Sequence, residues 1–172
     1  MFTIATDRFN SETWEASRNY RLRKGIACIY APPCRMSSAI HINSLVFVIE
    51  MNNSTNQIIG IGLIKNKLVT DKVYRVHEDT NYNRYIYIGD YHIPRDILEH
   101  YNPLLVFVLE QILFKGYMHS KRGAGITRLS EKVFALEICK EVDIKKEIRN
   151  IFVTHFRDKI SCRKSGLSSA EN

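Results

Sequence analysis

The chain has 172 residues, a length that suits one domain or one domain with a helical appendage. Hydrophobic residues make up 45% of it, which excludes a disordered polyampholyte and predicts a folded core. A formal net charge of +7 excludes an acidic solvating protein and favours a polyanionic partner, either nucleic acid or an acidic membrane surface.

In chain order, FTIAT alternates briefly and predicts a first strand. WEASRNYRLR follows and reads as an amphipathic helix carrying the only tryptophan, Trp14. Residues 45–51, LVFVIEM, form an apolar β run, and residues 57–64, QIIGIGLI, form another. The polar turn Asn52-Asn53-Ser54-Thr55-Asn56 between them predicts an antiparallel hairpin. Gly60 and Gly62 share one face of the second strand. They permit a backbone or a flat ligand to approach closely, or else mark a bulge or a helix packed across the strand. Residues 84–93, RYIYIGDYHI, predict a further strand interrupted by Gly-Asp, with Pro94 ending it and RDILEHY forming a short helix. Pro103 opens a strongly apolar helix over LLVFVLEQILF, ended by Gly116. After a basic loop, residues 130–158 show helical periodicity, with Asp143 as a cap between two segments. The polar stretch at 161–172 reads as a flexible tail. Strands in the first hundred residues and helices after them predict an α+β domain over 1–160, a curved sheet or small barrel closed by helices.

No run of eighteen apolar residues predicts a membrane span, and MFTIATDRFN lacks the basic and apolar blocks of a signal peptide. Cys28, Cys34, Cys139 and Cys162 match neither a CxxC pair nor a Cys/His zinc spacing, so they read as reduced thiols of an intracellular protein. No metal and no cofactor is expected. The abundance of Ile, Asn, Tyr and Lys points to an AT-rich coding source, a large DNA virus among the candidates.

Three stretches carry chemistry. From Ala16 to Ile49 there is no acidic residue, yet Arg18, Arg21, Arg23, Lys24 and Arg35 lie there. Arginine forks bind phosphate and stack on bases, and Trp and Tyr supply stacking faces. On a helix Trp14 and Arg18 share a face, as do Asn19 and Arg23. Asn19 carries a donor and an acceptor suited to a base edge. The alternative is a surface helix whose tryptophan packs inward. The second stretch is KGYMHSKRGAGITR, with Lys115, His119, Lys121, Arg122 and Arg128 among Gly116, Gly123 and Gly125. It reads as a phosphate cradle or as a solvated loop whose glycines serve turns; GxxxxGK[ST] is absent. The third, HEDTNYNRYIYIGDYHIPRD, holds His77, Glu78, Asp79, Asp90, His92 and Asp96, at spacings that match no metal or nucleophile motif.

The order of features in residues 1–65 resembles the EVE domains of the PUA-like superfamily, relatives of YTH and ASCH domains. Trp14, then Arg18-Asn19-Tyr20, then Arg23 match its Arg-Asn-Tyr signature. Asn43-Ser44-Leu45-Val46-Phe47-Val48 stands for its first strand, with Asn-Ser in place of the usual Gly-Asp, and Ile58-Ile59-Gly60-Ile61-Gly62-Leu63-Ile64 for its second. The resemblance implies a strongly curved sheet or small barrel flanked by helices, with a concave pocket. In such a pocket aromatic side chains sandwich a nucleobase, often a modified one, of RNA or DNA, and a basic rim holds the backbone.

The expectation is therefore a non-enzymatic nucleic-acid-binding protein that favours single strands. Trp14 and Tyr20 would stand at the pocket and Asn19 would contact the base. Arg18 and Arg23 would orient the pocket or meet phosphate, and Lys121, Arg122 and Arg128 would extend the basic track. Two alternatives stay open. One is a nucleic-acid-processing enzyme using His119 with Lys121-Arg122, or His77, Glu78 and Asp79. The other is a protein-interaction module or homodimer built on the apolar helix 104–114 and the helical C-terminal part.

Overall fold

The computed structural model describes residues 2–166, with side chains through Arg157. Strand β1 (Phe2–Phe9) leads into helix α1 (Ser11–Lys24), which Asn10 starts by a reciprocal capping box with Thr13. A short strand β2 (Cys28–Tyr30) follows, then the expected hairpin of β3 (Leu45–Asn52) and β4 (Gln57–Lys65). The single strand expected over 84–93 is two: β5 (Tyr87–Gly89) and β6 (Tyr91–Pro94). They part at Asp90 because they serve different sheets. Strand β5 pairs with β2, and β6 pairs with β4. Helices α2 (Arg95–Tyr101) and α3 (Pro103–Phe114) come next, α3 with Pro103 in its first turn and Asn102 as its cap. After the basic loop come β7 (Thr127–Arg128), α4 (Glu131–Phe134), a 3-10 turn (Glu137–Glu141) and α5 (Ile144–Gly166). Asp143 accepts from the Lys146 amide and caps α5. The tail expected from residue 161 begins inside the last stretch of α5, and 167–172 lie outside the described residues.

The main sheet runs β6-β4-β3-β1-β7, with β1 and β3 parallel. Among the described residues it does not close on itself, so the structure is α+β with an open sheet. Its central strands are covered on both faces, which is why LVFVIEM reads as a near-continuous apolar run. One face presents Ile4, Phe47, Ile49, Met51, Ile61 and Ile93 to the core shared with the helices of the second half. There α3 buries Leu105, Val106, Val108, Leu109, Ile112 and Leu113 and leaves Leu104 and Phe107 exposed. The other face presents Ala5, Phe9, Val46, Val48 and Ile64 to Trp14 and to Cys28, Tyr30 and Tyr87 of the small sheet. A third cluster joins Tyr20 of α1 to Ile29, Ala31, Tyr74, Val76 and Ile86.

Candidate nucleic-acid interface

Two acids share the second face of the sheet. Asp7 and Glu50 are register partners across the parallel β1–β3 pair, and Glu50 is opposite Gly60 on β4. The register slips just past Glu50, so Ile59 is bulged. Bulges of this kind re-aim neighbouring side chains.

Glu50 is fully buried and accepts from three sides. Arg21 Nη2 donates to Oε1 at 2.6 Å and the Tyr30 hydroxyl donates to the same oxygen at 2.8 Å. His92 Nε2 lies 2.8 Å from Oε2, and an ionised carboxylate, which only accepts, fixes the proton on that nitrogen. Burial pushes the Glu50 carboxyl up. The Arg21 guanidinium and His92 outweigh it and hold the carboxyl at about 2. Burial likewise opposes charge on Arg21, and Glu50 overcomes it, so the guanidinium stays above its ordinary range. Its plane also lies 5.0 Å from the Trp14 ring centre and 5.6 Å from that of Tyr30.

The two glycines of QIIGIGLI make room for this group. A Cβ on Gly62 would run into the Tyr30 hydroxyl, and one on Gly60 would lie 2.7 Å from the Ile93 carbonyl and 2.9 Å from His92 Nε2. The close approach that the sequence allows is thus made by two side chains and the β6 backbone.

Asp7, in contrast, has little to neutralise it. It is 7% exposed, and among the described residues Oδ1 accepts only from the Arg8 amide of its own strand. Burial raises its carboxyl to about 7, a neighbouring Glu50 adds to this, and Arg8 and Arg21 offset only part. Asp7 and Arg8 line a pocket of about 110 Å³. Phe9 and Thr13 border it, and Ala31, Pro32 and Pro33 form one wall. His77 and Tyr82 form another, their rings 5.1 Å apart. Asn83 sets that wall: its side chain accepts from the Val76 and His77 amides and donates to the His77 carbonyl, while its amide donates to Ala31. Burial holds His77 below its ordinary range, with Asp79 opposing, so the ring meets the pocket uncharged at neutral pH.

The third wall is Gly123-Ala124-Gly125 of the basic loop. Arg8 fastens this loop through bonds to the Ser120 and Gly125 carbonyls and to Thr127 Oγ1. A Cβ on Gly125 would meet Cys34 Sγ at 2.9 Å and Pro32 at 3.2 Å, so the loop packs directly on the proline wall. Of its basic residues, Lys121 Nζ donates to Asn56 Oδ1 and Arg122 is exposed. Arg128 pairs with Glu131 at 3.3 Å, which also takes Lys145, so its charge is partly matched.

No protein-family model, no curated protein and no solved structure matches the chain.

The eight residues singled out from the sequence separate into four places. Trp14 packs inward, edge-on to Phe9 at 5.5 Å, and does not line the pocket. Asn19, Tyr20 and Arg23 border a neighbouring groove of about 910 Å³, which meets the pocket at Thr13, His77 and Tyr82. Tyr20 is buried in the third cluster, with Arg23 over its ring. Arg23 and Arg75 share that groove with Glu12, Glu15, Glu78 and Asp79, so it is not a basic channel. Arg18 is exposed on α1 and borders neither cavity. Lys121, Arg122 and Arg128 belong to the basic loop and the strand it leads into. The acid and histidine stretch does not converge: His77 faces the pocket and His92 bonds Glu50, and among the described residues no three such side chains group as metal ligands. Among them, too, no helix is long and apolar enough to cross a membrane.

Sequence reasoning passed over Asp7, Tyr30 and Glu50. Glu50 had a signal, since a carboxylate inside LVFVIEM must be paired if that run is buried. Asp7 had a weaker one, a lone acid at the end of a strand that proves to be buried on both faces.

Proposed function

We propose that this chain binds single-stranded nucleic acid, holding one unstacked base in the Asp7 pocket and the adjoining backbone on the basic loop. The observation that carries the reading is a buried acid lining a small pocket with aromatic and proline walls, bordered by a loop that bears Lys121 and Arg122. A water occupies about 30 Å³, so about 110 Å³ holds one small planar heterocycle but not a nucleotide. The sugar and phosphate must then lie outside. The groove along α1 repels them with its four carboxylates, and the loop on the other lip, which has no acid from Gln111 to Ser130, attracts them. The Arg-Asn-Tyr resemblance supports the same class of ligand, with the base seated beside α1 and not upon Trp14.

Fluorescence anisotropy with labelled RNA and DNA oligonucleotides, in 20 and 200 mM salt, tests the reading. Affinity should fall steeply with salt. Replacing Lys121 and Arg122 by serine should lower the logarithmic slope by roughly 0.7 for each phosphate no longer neutralised. Absence of binding to any single strand at low salt refutes it.

A further inference from the structure

Asp7 differs from the other polar groups of its face. Glu50 has three partners, whereas the Asp7 side chain has one backbone amide and a pocket in front of it. An acid that lines a base-sized pocket is in reach of the edge of whatever enters.

We propose, building on the binding mode above, that Asp7 reads the Watson–Crick edge of the base: the neutral acid accepts any of the four, and the carboxylate selects guanine. The chemistry is one of matching donors. A neutral carboxyl offers one O–H donor beside one acceptor. Every base presents the complement: adenine and cytosine an amino donor beside an unprotonated ring nitrogen, guanine and thymine a ring N–H beside a carbonyl. A carboxylate offers two acceptors, and guanine answers with two adjacent donors, the ring N–H and the amino group. Against adenine or cytosine the carboxylate would oppose a lone pair to a lone pair. The mismatched pair leaves a buried acceptor unsatisfied, which is the strongest form of discrimination available to such a site.

The groups facing Asp7 are Arg8 on its own strand, Glu50 on β3, Arg21 on α1, and His77 and Tyr82 across the pocket. Glu50 and Arg21 keep opposite charges through the neutral range and form a fixed background. Asp7 is then the group of this set that changes charge near pH 7. Its neutral fraction falls about tenfold from pH 6 to pH 8, and the binding of a base that needs that form falls with it.

The test uses thymine nine-mers carrying adenine, cytosine or guanine at the central position, titrated by anisotropy at pH 6 and pH 8. The expected result is that adenine, cytosine and guanine bind comparably at pH 6 and that guanine binds most tightly at pH 8. The ratio of guanine to adenine affinities should rise at least tenfold. Effects of pH on the basic loop cancel in that ratio. Asp7→Asn presents an amide donor and acceptor at every pH, so its guanine-to-adenine ratio should be the same at both. A ratio that does not move with pH in the unmodified protein overturns the inference while leaving single-strand binding standing. A rise in the ratio that survives in Asp7→Asn overturns it equally. No binding of any oligomer at either pH overturns both.

Discussion

Replacing Glu50 by glutamine is the sharpest test of the network behind the pocket. The substitution keeps the shape and removes one charge. Arg21, 6% exposed, is then left as a buried cation without an anion. The new amide also brings a donor to a place where three donors already point. Breaking a buried pair from one side costs about 3–5 kcal/mol. Proton linkage gives a similar figure by a separate route. A carboxyl held at about 2 against an ordinary 4.5 corresponds to roughly 3 kcal/mol, present above pH 4.5 and lost as pH falls through 2. For a chain of this length each kcal/mol moves the midpoint by about 2–4 °C, so the melting temperature should drop on the order of 10 °C. Thermal and urea unfolding at pH 7, followed by circular dichroism, measure it. The double variant Glu50→Gln with Arg21→Met removes the stranded cation and should be more stable than Glu50→Gln alone. If Glu50→Gln unfolds within about 1 kcal/mol of the parent, the claim that these charges are mutually required is wrong.

Asp7 has the opposite sign of linkage. Its folded value of about 7 lies above the ordinary 3.8, so stability is full below pH 3.8 and declines as pH rises through 7, by at most about 4 kcal/mol. Urea midpoints of the parent should fall between pH 4.5 and 7.5, and Asp7→Asn should flatten that slope; an equal slope in both counts against a buried, unpaired acid. Gly62→Ala places a methyl group against the Tyr30 hydroxyl and should cost about 1–3 kcal/mol of stability, read by thermal melting. Arg8→Ala releases the carbonyls of Ser120 and Gly125, so trypsin should cut after Lys121 or Arg122 several-fold faster, while unchanged cleavage would show that the loop is held by other means.

How far the sequence discloses this molecule depends on the range of the interaction concerned. The hairpin of β3 and β4, the Pro103 helix and the Asp143 cap rest on periodicity and on bonds within a few residues, and all three are where the pattern puts them. The division of 84–93 into two strands is not local. Nothing in RYIYIGDYHI says that Tyr87 will pair with Tyr30 while Ile93 pairs with Ile61. WEASRNYRLR shows the same limit. Its helix is legible, but its arginines look alike in sequence, and the one that is buried is Arg21, because only its side chain meets Glu50 across the sheet face. Trp14 follows from that choice, since it covers the guanidinium and so turns inward. The glycines at 60 and 62 come nearest to bridging the gap. They state that something presses on β4 without stating what, and Tyr30 arrives from one side in the chain and His92 from the other. Once both are brought to Glu50, the remaining acid of the row, Asp7, has no cation of its own. That imbalance leaves it buried beside the pocket without an ion pair among the described residues.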